Sequence, residues 1–320
     1  MLKRMFSKKM IVSTAVLFAL LLVCLMPKES LYTLDNVKEE LSYVDRNAST
    51  SIIYLYDKSD LLARTSIQID GTKTEDKARN LITALIKEST LTDKIPSGFK
   101  QVLPASTKIL SIGLEDKTLK INFSGDLLNV SAKEEEHVIE ALVYTLTNID
   151  GVDNIILYID GDILTSLPQS KKNLPATLNR AYGINKQYDL TSFKDVMGVT
   201  VYYVGKYNDD YYYVPVTKYL NSSKDKIKVI IEELASGPSY GSNLMSFLNS
   251  NTKLLATEQD VNTMHLVFNN YIFSDMSEEN ILEEVLYTIN LSIADNYDVE
   301  EVIFEVENKE IYKSVLKSIE

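Results

Sequence analysis

The sequence predicts an α+β protein made of two tandem copies of one ββαββαβ module, each with two helices packed on a five-stranded mixed sheet, behind an N-terminal membrane anchor. Three observations predict it. Thr107-Lys108-Ile109-Leu110, followed by Phe123, recurs without a gap as Thr252-Lys253-Leu254-Leu255 with Phe268, the internal self-similarity that marks a repeated unit. Ala78, Leu81, Ile82, Leu85 and Ile86 form a single apolar stripe at helical spacing, and Ile227, Ile230, Ile231, Leu234 and Ala235 repeat that spacing. Leu142-Val143-Tyr144-Thr145 answers Val285-Leu286-Tyr287-Thr288, and the Val- and Ile-rich run 152–159 answers 299–306.

The chain opens on Lys3, Arg4, Lys8 and Lys9, then runs apolar from Met10 to Met26 and closes at Pro27. Residues 1–27 therefore read as a signal anchor or a signal peptide, with the basic side left in the cytoplasm and the remainder exported. A third reading makes Cys24 a lipidation site, although Leu21-Leu22-Val23 stands where a small residue is usual. The polar stretch 28–50 reads as a tether. Module one, 51–166, begins with a hairpin over Ile52–Tyr56 and Leu61–Asp70, and Gly71 and Thr74 then lead into the first helix. The strands Thr107–Leu114 and Thr118–Phe123 follow. Ser131-Ala132-Lys133-Glu134 has the form of a capping box and opens a second helix carrying Val138, Ala141, Leu142, Thr145, Leu146 and Ile149. Ile155–Ile159, a nearly unbroken apolar run, reads as a strand covered on both sides or central in its sheet. Residues 167–198 lack a sustained period and read as a linker. Module two, 199–307, repeats the order, with Gly237-Pro238 stopping its first helix and Ser277 capping its second. The tail 308–320 has Ile311, Val315 and Ile319 at spacing four and reads as a possible last helix.

At 320 residues and 45% hydrophobic the chain can bury two ordinary cores. Its formal net charge is -12, and with the basic N-terminus set aside the rest carries about -16. A surface so negative repels phosphate backbones and excludes nucleic acid as a partner class. No disulfide can form within the chain, since Cys24 is its single cysteine. His137 and His265 lack a paired ligand or an oriented catalytic partner in sequence and read as structural. Glu134-Glu135-Glu136 and Glu278-Glu279 read as first-turn carboxylates facing a helix dipole. No phosphate-cradling glycine loop, selected acid pair or metal set emerges, so no catalytic, cofactor-binding or metal residues are expected. One cluster stands out in a chain without tryptophan: Tyr202, Tyr203, Tyr207, Tyr211, Tyr212 and Tyr213. Tyrosine favours strands, but of these Tyr202, Tyr207, Tyr211, Tyr212 and Tyr213 are also candidates for a partner or glycan surface. Thr107, Lys108, Thr252 and Lys253 are the polar positions kept in both copies.

Pro104-Ala105-Ser106-Thr107-Lys108, Ile121-Asn122-Phe123-Ser124, Leu142 to Leu146, Gly237-Pro238-Ser239 and Leu266-Val267-Phe268-Asn269 together resemble the GerM domain, named for sporulation and germination lipoproteins. The chain departs from that pattern at Asn122 and Val267, where the family carries an acid before the phenylalanine, and at Asn249-Ser250-Asn251, where proline is usual. The resemblance spans both modules. It implies a noncatalytic, membrane-tethered extracytoplasmic protein; tandem members of the family resemble ring-building modules and support the channel between mother cell and forespore. The expected function is thus a scaffold of the bacterial envelope that acts through protein partners, with self-association among the possibilities. A peptidoglycan or glycan-binding module using the tyrosine hairpin is the alternative, and a cell-wall hydrolase the third reading.

Overall fold

The computed structural model describes residues 49–316, apart from 276, 278 and 308. The expected anchor at 10–26, Cys24 and the tether up to residue 48 lie outside the described residues. Among the described residues no helix is long and apolar enough to cross a membrane.

The α+β class and the twofold repetition are present, with two helices in each copy. Copy one runs β1 (Ser49–Tyr56), β2 (Leu62–Ile69), α1 (Thr74–Leu85), β3 (Ile109–Glu115), β4 (Thr118–Phe123), α2 (Glu134–Leu146), β5 (Asn154–Ile159) and the short β6 (Asp162–Ile163). After β7 (Gln187–Asp189), copy two runs β8 (Val196–Tyr207), β9 (Asp210–Asn221), α3 (Lys226–Ser236), β10 (Leu254–Gln259), β11 (Thr263–Phe268), α4 (Glu283–Asn296), β12 (Glu301–Val306) and β13 (Lys309–Val315).

The strands are shared out differently from the expected five-stranded sheet per copy. Each copy keeps a four-stranded mixed sheet, β3-β4-β5-β6 in one and β10-β11-β12-β13 in the other, in which the strands flanking the second helix run parallel. The two hairpins leave these sheets and pair with each other, β2 against β9, so β1, β2, β9, β8 and β7 make one sheet across both copies. Burial explains this: Val199 to Gly205 is buried at every position, the signature of a strand covered on both faces. β5 is central in its sheet, between β4 and β6.

Further corrections concern element ends. Ser49 and Thr50 pair with Ile69 and Gln68 and belong to the hairpin, not to the tether. The expected linker contains β7 and the start of β8. The tail forms strand β13 up to Val315, antiparallel to β12, in place of a helix. Spacing of four satisfies a period of two as well as one of 3.6, and Ile311 and Val315 are β-branched. α4 starts at Glu283, so Ser277 does not cap it; the Ser277 N–H and hydroxyl both donate to Asp275 in the preceding turn. At α2 the Glu134 carboxylate does reach back to the Ser131 N–H at 3.2 Å, the return half of a capping box.

Corresponding bonds reveal how the copies superimpose. Tyr56 exchanges two backbone hydrogen bonds with Lys100, and Val204 does the same with Met245, closing the outer edges of β1 and β8. The Tyr54 N–H donates to Thr145 Oγ1 at 3.1 Å, and the Tyr202 N–H to Ser292 Oγ at 2.9 Å. Thr145 therefore corresponds to Ser292. The sequence echo that set it against Thr288 is out by one helical turn, a shift that leaves the apolar stripe unchanged.

Candidate functional site: the seam between the two copies

Pairing Tyr54 with Arg64 in one hairpin and Tyr202 with Pro215 in the other makes Arg64 the counterpart of Pro215 and Leu62 that of Tyr213. Arg64 faces Tyr213 across the seam, so an approximate two-fold would set Leu62 against Pro215. Proline has no N–H to offer a ladder. Asn185 fills the gap with its side-chain amide: Oδ1 accepts from the Leu62 N–H at 3.0 Å, and Nδ2 donates to the Leu62 and Pro215 carbonyls, each at 2.8 Å. Its backbone sits at φ 46°, a left-handed conformation that asparagine tolerates better than most residues.

The segment carrying Asn185 is tied to α2 by charge. Its N–H donates to Glu140 Oε2 at 3.0 Å. Lys186 Nζ lies 2.9 Å from Glu136 and 3.5 Å from Glu140, over the Tyr182 ring at 3.4 Å. Burial pushes the Glu140 carboxyl up to about 7, with Lys186 offsetting only part of the cost.

At the other end of the seam the counterparts Tyr54 and Tyr202 meet, hydroxyl to hydroxyl, at 2.9 Å. Tyr202 donates onward to Asp295 Oδ2 at 2.8 Å, and Asp295 pairs with Arg180. The Arg180 guanidinium lies 5.0 Å from the centroid of the Tyr144 ring and also reaches Thr147 Oγ1 at 3.2 Å. A polar cleft of about 360 Å³ opens here, lined among others by Lys77, Asp150 and Asn148. Its buried core ties Tyr54, Tyr202, Asp295 and Arg180 to one another and fixes the two copies against each other.

The tyrosines divide accordingly. Tyr202 and Tyr203 are 1% exposed, so Tyr202 belongs to the seam and offers no partner surface. Tyr212 donates to Asp57 in the β1–β2 turn at 3.0 Å and meets Phe99 edge-on, while Tyr213 stacks on Tyr287. Tyr207 packs over Gly98, where an added Cβ would come within 2.7 Å of the ring. Tyr211, against Phe247 at the hairpin end, is exposed. The repeated Thr-Lys pairs form a backbone latch. Thr107 and Thr252 are buried, the Lys108 N–H donates to Ser124 Oγ at 3.2 Å, and the Lys253 N–H donates to Asn269 Oδ1 at 3.0 Å. His137 Nδ1 sits 3.2 Å from the Tyr56 hydroxyl, its pKa lowered by burial, and His265 pairs with Glu305 at 2.8 Å on the sheet surface. Among the described residues no group of His, Cys, Asp and Glu is arranged to hold a metal.

A family model described as sporulation and spore germination, Germane, matches residues 52–165 and 200–312, one match for each copy. The chain belongs to that family. Among its relatives, the spore germination protein GerM of Bacillus subtilis strain 168 is 31% identical over 285 residues, covering 86% of this chain and 76% of that protein. The solved tandem GerMN domains of the sporulation protein GerM from Bacillus subtilis match with a TM-score of 0.76 at 28% identity, over 82% of this chain and 92% of that one. For this Germane-family chain, Arg180, Asn185, Asp295 and Glu140 went unnoticed in sequence. A single Arg or Asn in a polar connection carries no signal of burial. The correspondence of Tyr54 with Tyr202, each in the first strand of its copy, was the available clue.

Proposed function

We propose that this chain is a noncatalytic scaffold of the bacterial envelope, tethered to the membrane through residues 10–26 or a lipid on Cys24, with the two copies outside the cytoplasm, acting through protein partners in spore formation or germination. Membership of the sporulation and spore germination family supports the process. The observation that carries the noncatalytic reading is the seam, where Tyr54, Tyr202, Asp295 and Arg180 are consumed by one another. A hydrolase would need an acid or nucleophile free to meet substrate. The glycan alternative loses ground because Tyr202, Tyr212 and Tyr213 have protein partners for their hydroxyls or rings.

Full-length chain in detergent, immobilised and exposed in parallel to solubilised membrane extract and to purified cell wall, tests the reading. Specific retention of membrane-extract proteins is expected. Retention on the wall alone overturns the scaffold in favour of the glycan-binding module.

A further inference from the structure

The two copies part at the end of their first helix. Glu88 and Gly237, both left-handed at φ 58° and 80°, follow α1 and α3, and the bonds Tyr56–Lys100 and Val204–Met245 mark the next corresponding points. Eleven residues lie between Glu88 and Lys100 but seven between Gly237 and Met245. In copy one the longer loop fills its own space. Leu91 and Ile95 pack against the apolar cluster, and the buried Gln101 side chain donates to the Ala84 and Ile86 carbonyls. Copy two has Ser246 in place of Gln101, with a hydroxyl that donates to the Leu234 carbonyl at 2.6 Å. A shorter loop and a smaller side chain leave an open basin of about 480 Å³ at the end of α3, within the size range of small-ligand sites.

The walls of the basin are rich in hydroxyls. Ser236, Ser239, Ser242, Asn243 and Ser250 contribute polar groups, and among the described residues none that lines it is charged, in a chain of which 24% is charged. Tyr240 belongs to the same wall and is fully exposed, so it offers the open aromatic face that the hairpin tyrosines lack. Ser242 Oγ is buried without a hydrogen-bond partner among the described residues, a deficit that a ligand hydroxyl makes good. The loop is braced from outside: Ser239 Oγ donates to Gln187 Oε1 in β7 at 2.9 Å, and Asn243 Nδ2 lies 3.5 Å from Ser59 Oγ in the β1–β2 turn. Its shape is therefore held before any ligand arrives.

We propose that this basin binds an uncharged glycan chain, with Tyr240 as the stacking platform and Ser239, Ser242 and Asn243 as the hydrogen-bonding groups. A sugar ring has an apolar face that stacks on tyrosine, and its hydroxyls exchange hydrogen bonds with serine and asparagine. A phosphate or carboxylate ligand would call for Arg or Lys in the walls, and the net charge of -12 repels it. The export reading makes the cell wall the source of the glycan. The site belongs to copy two and stands apart from the tyrosine hairpin, so it adds a ligand to the scaffold and does not depend on it.

Calorimetric titration of the full-length chain with an N-acetylglucosamine oligomer, in a detergent without a sugar headgroup, tests this. Saturable binding by the wild type is expected. Tyr240→Ala should weaken it about tenfold, the effect of losing one stacked ring, at an unchanged melting temperature because the ring is fully exposed. Tyr240→Phe should bind nearly as well as the wild type. Ser246→Gln, which gives copy two the plug of copy one, should abolish binding, and Tyr211→Ala at the hairpin end should leave it unchanged. A wild type that does not bind the oligomer, whatever its retention on cell wall, overturns the proposal, as does undiminished binding by Tyr240→Ala or Ser246→Gln. Oligomer binding with no membrane protein captured would leave this site standing and remove the scaffold; capture without oligomer binding would do the reverse.

Discussion

Asn185 and Glu140 show how much of the seam rests on single side chains. Asn185→Ala would leave the Leu62 N–H and the Leu62 and Pro215 carbonyls without their partner. Each buried group left unpaired costs about 1–3 kcal/mol, so a loss of at least about 2 kcal/mol is expected in urea denaturation, with faster hydrogen exchange at the Leu62 amide. Asn185→Asp should not rescue it, because the two carbonyls need a donor. Glu140 predicts a pH dependence. Its folded-state pKa of about 7 lies above the ordinary carboxylate value of 4.5, so between those limits the folded state holds the proton more tightly and stability falls as pH rises. The groups facing it are Lys186 and the Asn185 N–H from the connection and Glu136 from its own helix. The shift corresponds to about 3 kcal/mol at most. In melts from pH 4.5 to 7.5, Glu140→Gln should flatten that decline; an unchanged slope would show that other groups set it.

The hairpins are the elements on which sequence and structure part company most instructively. Alternation and turn residues located β1, β2, β8 and β9, but partners are chosen by burial across copies, and a period says nothing about which edge a strand will meet. The echo of Leu142–Thr145 in Val285–Thr288 was legible and one turn out, because sliding a helix by four residues keeps its apolar face. The tail's spacing of four fitted strand and helix alike. The latch residues Thr107-Lys108 and Thr252-Lys253 were visible as a repeat, but their role needed Ser124 and Asn269 from the neighbouring strand. In β8, Gly205 tests the hairpin directly: an added Cβ would lie 2.4 Å from the Tyr212 ring, which is held by Asp57 and Phe99. Gly205→Ala should therefore cost about 1–3 kcal/mol by overpacking and displace the tyrosine from Asp57. Combining it with Tyr212→Ala should recover part of the loss, measured as a coupling energy in a double-mutant cycle; strictly additive losses would refute the contact.

At the scale of the whole molecule, the two copies form one compact unit among the described residues, and the line between them is tied by side chains more than by strand pairing. Each copy has its own apolar cluster, yet Ala63 and Leu61 of the first hairpin pack in the cluster of the second copy. The β2–β9 ladder contributes the single pair Arg64–Tyr213, so much of the coupling must come from Asn185, Tyr212–Asp57 and the Arg180–Asp295–Tyr202–Tyr54 chain. Asp295→Ala strands the Arg180 charge in the seam, a change that typically costs about 3–5 kcal/mol. That cost falls on the interface and on neither core, so the expected outcome is a change in cooperativity as well as in stability. The wild type should unfold in one calorimetric transition with matching van't Hoff and calorimetric enthalpies. Asp295→Ala should split it in two, while Arg180→Met combined with Asp295→Leu, which removes both charges, should restore a single transition. A single transition at lower temperature in Asp295→Ala would instead place the coupling in the shared sheet and its apolar contacts.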